Sequence, residues 1–373
     1  MRFQAPGLPD FPWDTIGAEA DLARSHPDGI CDLSVGTPVD PVPELGRRAL
    51  AAAADSPGYP TVWGTPELRA AIIGYLQARW AAVGLSERHV SPVIGTKELV
   101  AWLPTLCGVH PGDTIVIPEV AYPTYAVGAV MAGARVVPAA SPDQVADETP
   151  VLVWINSPSN PTGRVEGVDQ IRAWIGYART KGALLAADEC YGEFGWTAEP
   201  VSILDARVNR GTTEGLLAAF SLSKRSNLAG YRAGFVAGDT DIVMGLVGLR
   251  KHLGMMVAAP VQAAMTALLG DQDHVAVQRQ RYLARRTQLA AALVAAGFRV
   301  DDSEAGLYLW ATRGENGRAT TAWLARRGIL VAPGDFYGPA GVDYVRIALT
   351  ASDERIAAAA ARITGSRSAT ESA

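Results

Sequence analysis

The sequence predicts an α/β protein with a mostly parallel central sheet, joined to a smaller α+β region. Short apolar segments alternate with helix-like segments of about a dozen residues, which is the pattern of βαβ units. Beyond Val257 this alternation gives way to a long stretch rich in Ala, Leu, Gln and Arg, followed by three short strand-like segments. The chain of 373 residues is long enough for two domains of ordinary size.

Helix-like and strand-like segments can be followed in order along the first part of the chain. Residues 67–80 carry apolar side chains at helical spacing from Leu68 to Trp80, and Gly84 is expected to end this helix. A second helix is predicted to begin near Thr96. The predicted elements that follow are a strand at 114–117, a helix at 124–133, strands at 134–139 and 151–156, a helix at 169–182, and strands at 183–189 and 216–220.

The C-terminal part is predicted to contain one long helix over 262–296 and then three strands, at 298–302, 307–312 and 344–349. We expect these elements to form the smaller domain together with the first 30–40 residues of the chain. The last residues, 365–373, are small and polar and are expected to be disordered.

Composition and charge exclude several classes of protein. The chain has 33 Lys and Arg against 38 Asp and Glu, a net charge of −5, and 49% of its residues are hydrophobic. These values are ordinary for a globular protein and exclude a disordered or collagen-like chain. The mild acidic excess, without a basic run that could follow a phosphate backbone, argues against a nucleic-acid partner.

Cysteine spacing and hydropathy favour a cytoplasmic protein. Cys31, Cys107 and Cys190 are odd in number and far apart, so we expect neither a disulfide framework nor a metal site. Residues 1–14 lack the apolar core of a signal peptide, and the longest apolar stretch, 254–270, is interrupted by polar residues and proline. We therefore expect no signal peptide, no membrane span and no membrane partner.

Polar side chains follow three consecutive predicted strands, at the edge where open α/β sheets bind ligands. They are Asn160, Asp188, Tyr191, Ser221, Ser223, Lys224 and Arg232. Taken singly, an Asp or Asn at a strand end is usually a turn residue, a lone Lys is usually a surface charge, and a Ser often caps a helix. Taken together they indicate a phosphate-binding loop with an amine and a carboxylate beside it, the set that pyridoxal phosphate requires.

On these residues the chain resembles the fold-type I pyridoxal-phosphate enzymes of the class I/II aminotransferase group, over about 33–351. Five motifs stand in the order and at the spacing of that family: Ser-Asn-Pro-Thr-Gly at 159–163, Asp-Glu-x-Tyr at 188–191, Ser-x-Ser-Lys at 221–224, Arg232, and Tyr-Val-Arg-Ile-Ala at 344–348. The resemblance implies a large cofactor-binding domain over 45–260. It also implies a small domain built from 1–44 and 261–373.

The resemblance implies a role for each motif residue, with Lys224, Asp188 and Tyr191 as catalytic residues. Lys224 is expected to bind the cofactor covalently and to carry a proton between substrate and cofactor, while Asp188 pairs with the ring nitrogen. Asn160 and Tyr191 are expected to hydrogen-bond the phenolic oxygen of the cofactor. The phosphate is expected to be held by Ser221, Ser223, Arg232, Thr96 and Lys97.

Two assignments within this resemblance keep an alternative, and a third implies a partner subunit. The Lys97 side chain has the alternative of pointing to solvent instead of to the phosphate. Tyr122 resembles the aromatic residue that stacks on the cofactor ring, and its alternative is a core tyrosine. Tyr59 resembles the tyrosine that reaches the phosphate of the neighbouring subunit, which implies a homodimer with a shared active site.

Two further residues are implied to bind substrate. Arg346 resembles the arginine that takes the substrate α-carboxylate as a bidentate pair, and its alternative is an exposed arginine on a strand. Gly36 resembles the N-terminal glycine whose backbone approaches the substrate.

Lys224 and Arg346 favour transamination between an amino donor and 2-oxoglutarate. Within the family, the segments around 151–165, 221–234 and 303–338 resemble the actinobacterial-type N-succinyldiaminopimelate aminotransferases. This resemblance implies N-succinyl-LL-2,6-diaminopimelate as the donor, in lysine and diaminopimelate biosynthesis. The alternatives are an aminotransferase for another amino acid, a pyridoxal-phosphate C–S β-lyase, and a non-catalytic sensor. The sequence does not identify the residues that contact the distal part of the substrate. The candidates are Arg24, Arg250 and Lys251.

Overall fold

The computed structural model describes residues 7–365. Its α-helices are α1 (Gly17–Arg24), α2 (Glu44–Ala52), α3 (Pro66–Trp80), α4 (Thr96–Leu106), α5 (Thr124–Met131), α6 (Val168–Lys181), α7 (Ala206–Asn209), α8 (Leu222–Arg225), α9 (Thr240–Leu253), α10 (Ala259–Leu269), α11 (Asp273–Ala295), α12 (Gly317–Ala325) and α13 (Asp353–Thr364). Its strands are β1 (Cys31–Asp32), β2 (Val90–Val93), β3 (Thr114–Pro118), β4 (Arg135–Ala139), β5 (Pro150–Asn156), β6 (Leu184–Asp188), β7 (Leu216–Ser221), β8 (Gly234–Gly238), β9 (Arg299–Asp301), β10 (Tyr308–Thr312), β11 (Ile329–Leu330), β12 (Ala332–Pro333) and β13 (Val345–Ala348).

The central sheet has seven strands in the order β2-β8-β7-β6-β5-β3-β4. The strands from β4 to β7 run parallel, while β8 is antiparallel to both of its neighbours. The mostly parallel sheet predicted from the sequence is therefore confirmed. In the β5–β6 pair Asn156 lies opposite Asp188, so two polar residues reach the same edge of the sheet.

The apolar runs of the parallel strands are explained by burial on both faces. In β7, Leu216, Ala218 and Phe220 pack into the core on one side of the sheet. Leu217 and Ala219 pack into the core on the other side. Because successive side chains of a strand point to opposite faces, a strand covered by helices on both sides must be apolar throughout.

Local capping determines where the first long helix begins and ends. The Thr65 side chain accepts a hydrogen bond from the Leu68 backbone amide at 3.2 Å, and Pro66 occupies the first helical position. The helix ends at Trp80, where Ala81 takes a left-handed conformation with φ of 49°. The helix predicted at 67–80 is confirmed, but Ala81 ends it before Gly84.

The single helix predicted over 262–296 is wrong, because the chain breaks there into α10 and α11. The Asp271 side chain accepts a hydrogen bond from the Asp273 backbone amide at 2.9 Å, across the turn between the two helices. Arg225 donates to the Leu268 carbonyl at 2.8 Å, near the end of α10. A residue more than forty positions away in the sequence thus satisfies the end of α10, which a local pattern cannot reveal.

The C-terminal strands form a second, antiparallel sheet in the order β12-β13-β10-β9, and β1 pairs in parallel with β11. The three strands predicted in this region are confirmed as β9, β10 and β13. The division into domains at 45–260 stays a prediction. The predicted disorder at 365–373 concerns residues that, from 366 onward, lie outside the described part of the chain, as do residues 1–6 of the predicted N-terminal arm. Among residues 7–365 no helix is long and apolar enough to cross a bilayer.

Candidate active site

A cavity of about 650 Å³ lies at the carboxyl ends of β5, β6 and β7, where residues from β10 and β13 also line it. All of the predicted site residues except Tyr59 line this cavity. They are Gly36, Thr96, Lys97, Tyr122, Asn160, Asp188, Tyr191, Ser221, Ser223, Lys224, Arg232 and Arg346. Residues spread over more than three hundred positions of the sequence therefore meet at one edge of the sheet, as expected for a ligand site in an open α/β fold.

Asp188 is a buried carboxylate at the end of β6. Its oxygens accept hydrogen bonds from the Tyr125 hydroxyl at 3.1 Å and from the Cys190 backbone amide at 3.2 Å. Burial raises the pKa of the Asp188 carboxyl, although these hydrogen bonds act in the opposite direction. Within residues 7–365 no Lys, Arg or His forms an ion pair with Asp188. The site therefore offers a buried anion that a cationic nitrogen would stabilise.

Lys224 follows β7 in the short helix α8. Its Nζ atom donates a hydrogen bond to the Gly36 carbonyl. Burial lowers the pKa of the Lys224 amine, and the nearby Arg346 and Arg232 guanidinium groups lower it further. A lysine with a lowered pKa is unprotonated more often, which is what a nucleophilic or proton-transferring amine requires.

Arg346 on β13 is only 2% exposed, so the alternative of an exposed strand arginine is wrong. Its Nη1 atom donates to the Asn160 side-chain oxygen at 2.9 Å, and its Nη2 atom donates to the Ser34 carbonyl at 2.6 Å. The buried Nε atom has no hydrogen-bond partner, and no carboxylate pairs with the guanidinium in the described range. A buried guanidinium without an anion is well suited to bind a carboxylate ligand.

Tyr308 on β10 contacts the two predicted binding groups. The Arg346 Cζ atom lies 4.0 Å from the centroid of the Tyr308 ring. The Tyr308 hydroxyl is 2.9 Å from the Tyr191 hydroxyl. A Cβ atom added to Gly36 would overlap the Tyr308 hydroxyl, so the missing side chain at position 36 makes room for this tyrosine. The sequence alone did not identify Tyr308.

A second group of polar residues lies where α4 begins. Gly95 adopts φ of 72° immediately before Thr96, and a Cβ atom there would overlap the Arg232 guanidinium. The Ser221 side chain accepts from the Ser223 backbone amide at 3.1 Å. Free backbone amides at the start of an eleven-residue helix, two serine hydroxyls and an exposed arginine form a site that can hold a phosphate dianion.

The remaining predicted residues lie at the border of the cavity or outside it. The Lys97 side chain is exposed, and its ammonium lies 5.5 Å from the centroid of the Phe11 ring. Burial raises the pKa of the half-buried Tyr122 to about 12, and its ring meets the Tyr125 ring edge to face at 5.9 Å. Tyr59 is 98% exposed and does not line the cavity of its own chain. Its predicted contact with a neighbouring subunit stays a prediction.

Asn156 is a residue of this region that the sequence analysis missed. Its side chain donates to the Asp188 carbonyl at 2.8 Å and accepts from the Asn160 backbone amide at 2.7 Å. It therefore fixes two of the predicted residues relative to each other. The signal was available, because Asn156 is a polar residue at the end of an otherwise apolar strand.

The donor set fits pyridoxal phosphate. Lys224 offers an amine to an aldehyde, Asp188 offers a buried anion to a ring nitrogen, and the start of α4 with Arg232 offers amides and a cation to a phosphate. Among the described residues no group of three or more His, Cys, Asp or Glu side chains is arranged to hold a metal ion.

The sequence model of the family described as aminotransferase class I and II matches residues 28–363. The chain belongs to the class I and II aminotransferases. Enzymes of this family depend on pyridoxal phosphate and have the fold-type I architecture, so the predicted cofactor and fold class of this aminotransferase are confirmed.

Relatives of this aminotransferase cover almost its whole length. It is 59% identical over 357 residues to a probable aminotransferase of Mycobacterium tuberculosis, covering 96% of this chain and 85% of the relative. It is 54% identical to a 4-dedimethylamino-4-oxo-anhydrotetracycline transaminase of Streptomyces rimosus, covering 96% of this chain and 99% of the relative. A solved structure of a probable N-succinyldiaminopimelate aminotransferase from Thermus thermophilus superposes with a TM-score of 0.86 at 30% identity, covering 95% of this chain and all of that chain.

Proposed function

We propose that this aminotransferase transfers the amino group of N-succinyl-LL-2,6-diaminopimelate to 2-oxoglutarate. The observation that carries the proposal is the pair of cationic positions at the cavity. Arg346 is buried and has no carboxylate partner among the described residues, so it suits an α-carboxylate. Lys97 is exposed at the border of the same cavity, where a second carboxylate would meet it. A donor with carboxylates at both ends satisfies both groups. The likeness to the Thermus thermophilus enzyme supports the same choice.

The proposed roles follow from the contacts in the cavity. When bound, pyridoxal phosphate supplies an electron-withdrawing ring that accepts the electrons of the donor's Cα–H bond. Lys224 Nζ would take the proton from the donor Cα and deliver it to the carbon on the other side of the transferred nitrogen. The lowered pKa of the Lys224 amine favours the first of these two transfers. Asp188 would accept a hydrogen bond from the ring nitrogen of the cofactor and so keep that nitrogen protonated. Asn160 accepts from Arg346 through its side-chain oxygen, so its side-chain amide group is left to donate to the phenolic oxygen of the cofactor.

Two further sets of residues would hold and orient the cofactor. Ser221, Ser223 and Arg232, with the amides at Thr96, would bind its phosphate. Tyr122 would cover one face of its ring. Because the overall charge is −5, attraction of these anionic ligands depends on local cations rather than on the field of the whole protein.

A panel of amino donors assayed with 2-oxoglutarate tests the substrate. We expect succinyldiaminopimelate to give the highest kcat/KM, and a donor such as methionine to be at least about 10-fold poorer because it lacks the distal carboxylate. Lys97→Gln should lower kcat/KM for succinyldiaminopimelate by about 3- to 5-fold and leave methionine nearly unchanged. Lys251→Gln, on the exposed part of α9, is the matched control. Equal losses with both donors would instead assign Lys97 to the phosphate.

The earlier candidates for the distal contact fit less well. Arg250 is buried and forms an ion pair with Glu98 at 3.0 Å, so its guanidinium already has an anion. Arg24 pairs with Asp21 at 2.7 Å on the surface of α1. Lys251 is exposed on α9, and none of the three side chains lines the cavity.

A second candidate is the amination of a large cyclic ketone. The Streptomyces rimosus relative is 54% identical and is a transaminase of an oxo-anhydrotetracycline. The cavity is lined by the aromatic rings of Phe11, Trp13 and Tyr122, which suit a flat apolar substrate. The donor panel therefore includes a polycyclic amine and a sulfur amino acid, with pyruvate release scored for the latter. Higher kcat/KM for either than for succinyldiaminopimelate would overturn the first choice.

The homodimer with a shared active site is also a proposal, supported by Tyr59, whose side chain is almost fully exposed in its own subunit. Mixing Lys224→Ala subunits with Tyr59→Ala subunits tests it. If each site takes Tyr59 from its neighbour, a mixed dimer carries both defects in one site and neither in the other. We expect mixing to restore activity to a fraction of wild type that neither variant reaches alone. Activity that stays at the average of the two variants would exclude a shared site.

A further inference from the structure

Tyr308 lies between the group expected to bind the cofactor and the group expected to bind the substrate carboxylate. It is 3% exposed and comes from β10, which pairs antiparallel with β13. In this register Trp310 is directly opposite Arg346, so Tyr308, two residues earlier, is the diagonal neighbour of Arg346 on the same face. The pairing of the two strands therefore determines that these side chains meet.

The ring of Tyr308 orients the Arg346 guanidinium. The Cζ atom lies 4.0 Å from the ring centroid, well within the range of a cation–π contact. Two hydrogen bonds, to Asn160 and Ser34, fix the same group from other directions. The remaining Nε donor has no partner within residues 7–365. A planar donor held in this way is ready to bind a carboxylate without reorganisation.

The hydroxyl of Tyr308 determines how the Tyr191 hydroxyl is used. The two oxygens are 2.9 Å apart, and either could be the donor. A hydroxyl carries only one hydrogen, so Tyr191 can donate to the cofactor only if it accepts from Tyr308. Such a chain of donors polarises both bonds and strengthens the outer one. The titratable and charged groups that face the pair are Lys224, Arg346, Cys190, Tyr122, Tyr337 and Tyr282.

We infer that Tyr308 is a positioning residue for both halves of the site: its ring fixes the plane of the Arg346 guanidinium, and its hydroxyl directs the Tyr191 proton toward the cofactor. This role depends on the proposed function, and specifically on the roles proposed for Arg346 and Tyr191.

The hydroxyl is tested with Tyr308→Phe, which keeps the ring. Cofactor-bound protein is titrated with base, and the midpoint of the change in cofactor absorbance is recorded. Loss of the Tyr308 hydroxyl weakens the hydrogen bond from Tyr191 to the anionic phenolic oxygen of the cofactor. The midpoint should therefore rise by about half a pH unit. The matched control is Tyr344→Phe, which removes a hydroxyl bonded to Asp301 at 2.7 Å outside the cavity. It should leave the midpoint unchanged.

The ring is tested with Tyr308→Leu and Tyr308→Met, which remove the aromatic face. Glutarate, the carbon skeleton of the keto-acid acceptor without its oxo group, serves as the probe, and its dissociation constant is measured by calorimetry. Both variants should weaken glutarate binding by about 5- to 10-fold, whereas Tyr308→Phe should stay within about 2-fold of wild type. Glutarate binding that stays within about 2-fold of wild type in whichever apolar variant folds would overturn the role of the ring.

Two reference variants separate failure of this inference from failure of the proposed function. Tyr191→Phe should raise the absorbance midpoint by more than Tyr308→Phe does, and Arg346→Gln should abolish glutarate binding. If these references do not respond, the roles of Tyr191 and Arg346 are wrong and the role of Tyr308 is overturned with them. If they respond while Tyr308→Phe leaves the midpoint within 0.1 unit of wild type, only the role of Tyr308 is overturned.

Discussion

Two cavities of similar size lie at opposite ends of the same parallel strands, and only one of them has the chemistry of an active site. The cavity at the carboxyl ends has about 650 Å³, and the one at the amino ends has about 760 Å³. The second is lined by apolar residues such as Leu106 and Leu249. Its charged residues are exposed to solvent, as are Arg179 and Asp241, or half-buried, as is Asp113. Volume therefore does not distinguish the two cavities.

Buried charge does distinguish them. At the carboxyl ends, Asp188 and Arg346 are buried and lack a counter-charge among the described residues. Such an arrangement is costly in a folded protein unless a ligand completes it. At the amino ends, the exposed charges are solvated and require nothing further. The functional end of this sheet is therefore marked by buried charges without a counter-charge and not by the volume of its cavity.

The largest expected effect comes from Lys224 at the carboxyl-end cavity. Lys224→Ala removes the amine that would bind the cofactor and move the proton, so transamination with 2-oxoglutarate should fall by at least about 1,000-fold. The absorbance of covalently bound cofactor should disappear as well. The matched control is Lys181→Ala near the amino end of β6, where Nζ contacts the Ala146 carbonyl at 2.7 Å on the surface. Turnover retained by Lys224→Ala would contradict the site.

Asp188→Asn is expected to have the next largest effect. The amide has nearly the same shape and can still accept from Tyr125, but it cannot hold a ring nitrogen in its protonated form. We expect kcat to fall by about 100-fold or more while the cofactor stays bound. Asp241→Asn, at the other cavity, should change kcat by less than about 2-fold. Equal effects at the two positions would remove the distinction between the cavities.

The sequence predicted the carboxyl-end site because its main residues follow strands that are apolar on both faces. Asp188 ends such a run, Asn160 and Lys224 follow one within four residues, and parallel strands must bring their ends together. The C-terminal strands were predicted for the same reason, since β10 and β13 have clear apolar patterns. For these residues the local sequence pattern predicts the same position that the fold gives them.

What the sequence did not predict depends on contacts between distant segments. Tyr308 meets Arg346 only through the register of β10 against β13, and Tyr125 reaches Asp188 only once α5 packs on the sheet. Strand β8, with the sequence Gly-Phe-Val-Ala-Gly, is a strand because β7 and β2 flank it. In each case the deciding partner is far away in the chain.

A smaller effect concerns stability next to the active-site carboxylate. Glu189 is buried, and one of its oxygens accepts a hydrogen bond from the Ile203 amide at 2.7 Å. Burial raises the pKa of Glu189 from its ordinary value of 4.5 to about 8. Because the folded pKa lies above the unfolded one, the wild type loses stability as pH rises between these values, by roughly 1 kcal/mol per pH unit.

Glu189→Gln removes this titration. Its advantage in unfolding free energy over the wild type should therefore grow from pH 5 to pH 8 and then level off, as measured by denaturant unfolding across this range. The matched control is Glu214→Gln, an exposed residue at the amino-end cavity. It should show no such trend. A constant difference between Glu189→Gln and wild type would mean that the carboxyl ionises normally in the folded protein.

The smallest expected effects come from alanine variants of two matched apolar residues, one at each cavity. Val35 lines the carboxyl-end cavity and is 45% exposed, and Leu249 lines the amino-end cavity and is 43% exposed. Each alanine variant removes a half-exposed apolar side chain, so each should cost only about 1 kcal/mol of stability or less. Val35→Ala should raise the KM for the amino donor by about 2- to 5-fold because it removes packing against bound substrate. Leu249→Ala should leave KM and kcat unchanged. A change in KM from Leu249→Ala as large as that from Val35→Ala would show that the amino-end cavity affects substrate binding. Buried charge alone would then no longer distinguish the two ends of the sheet.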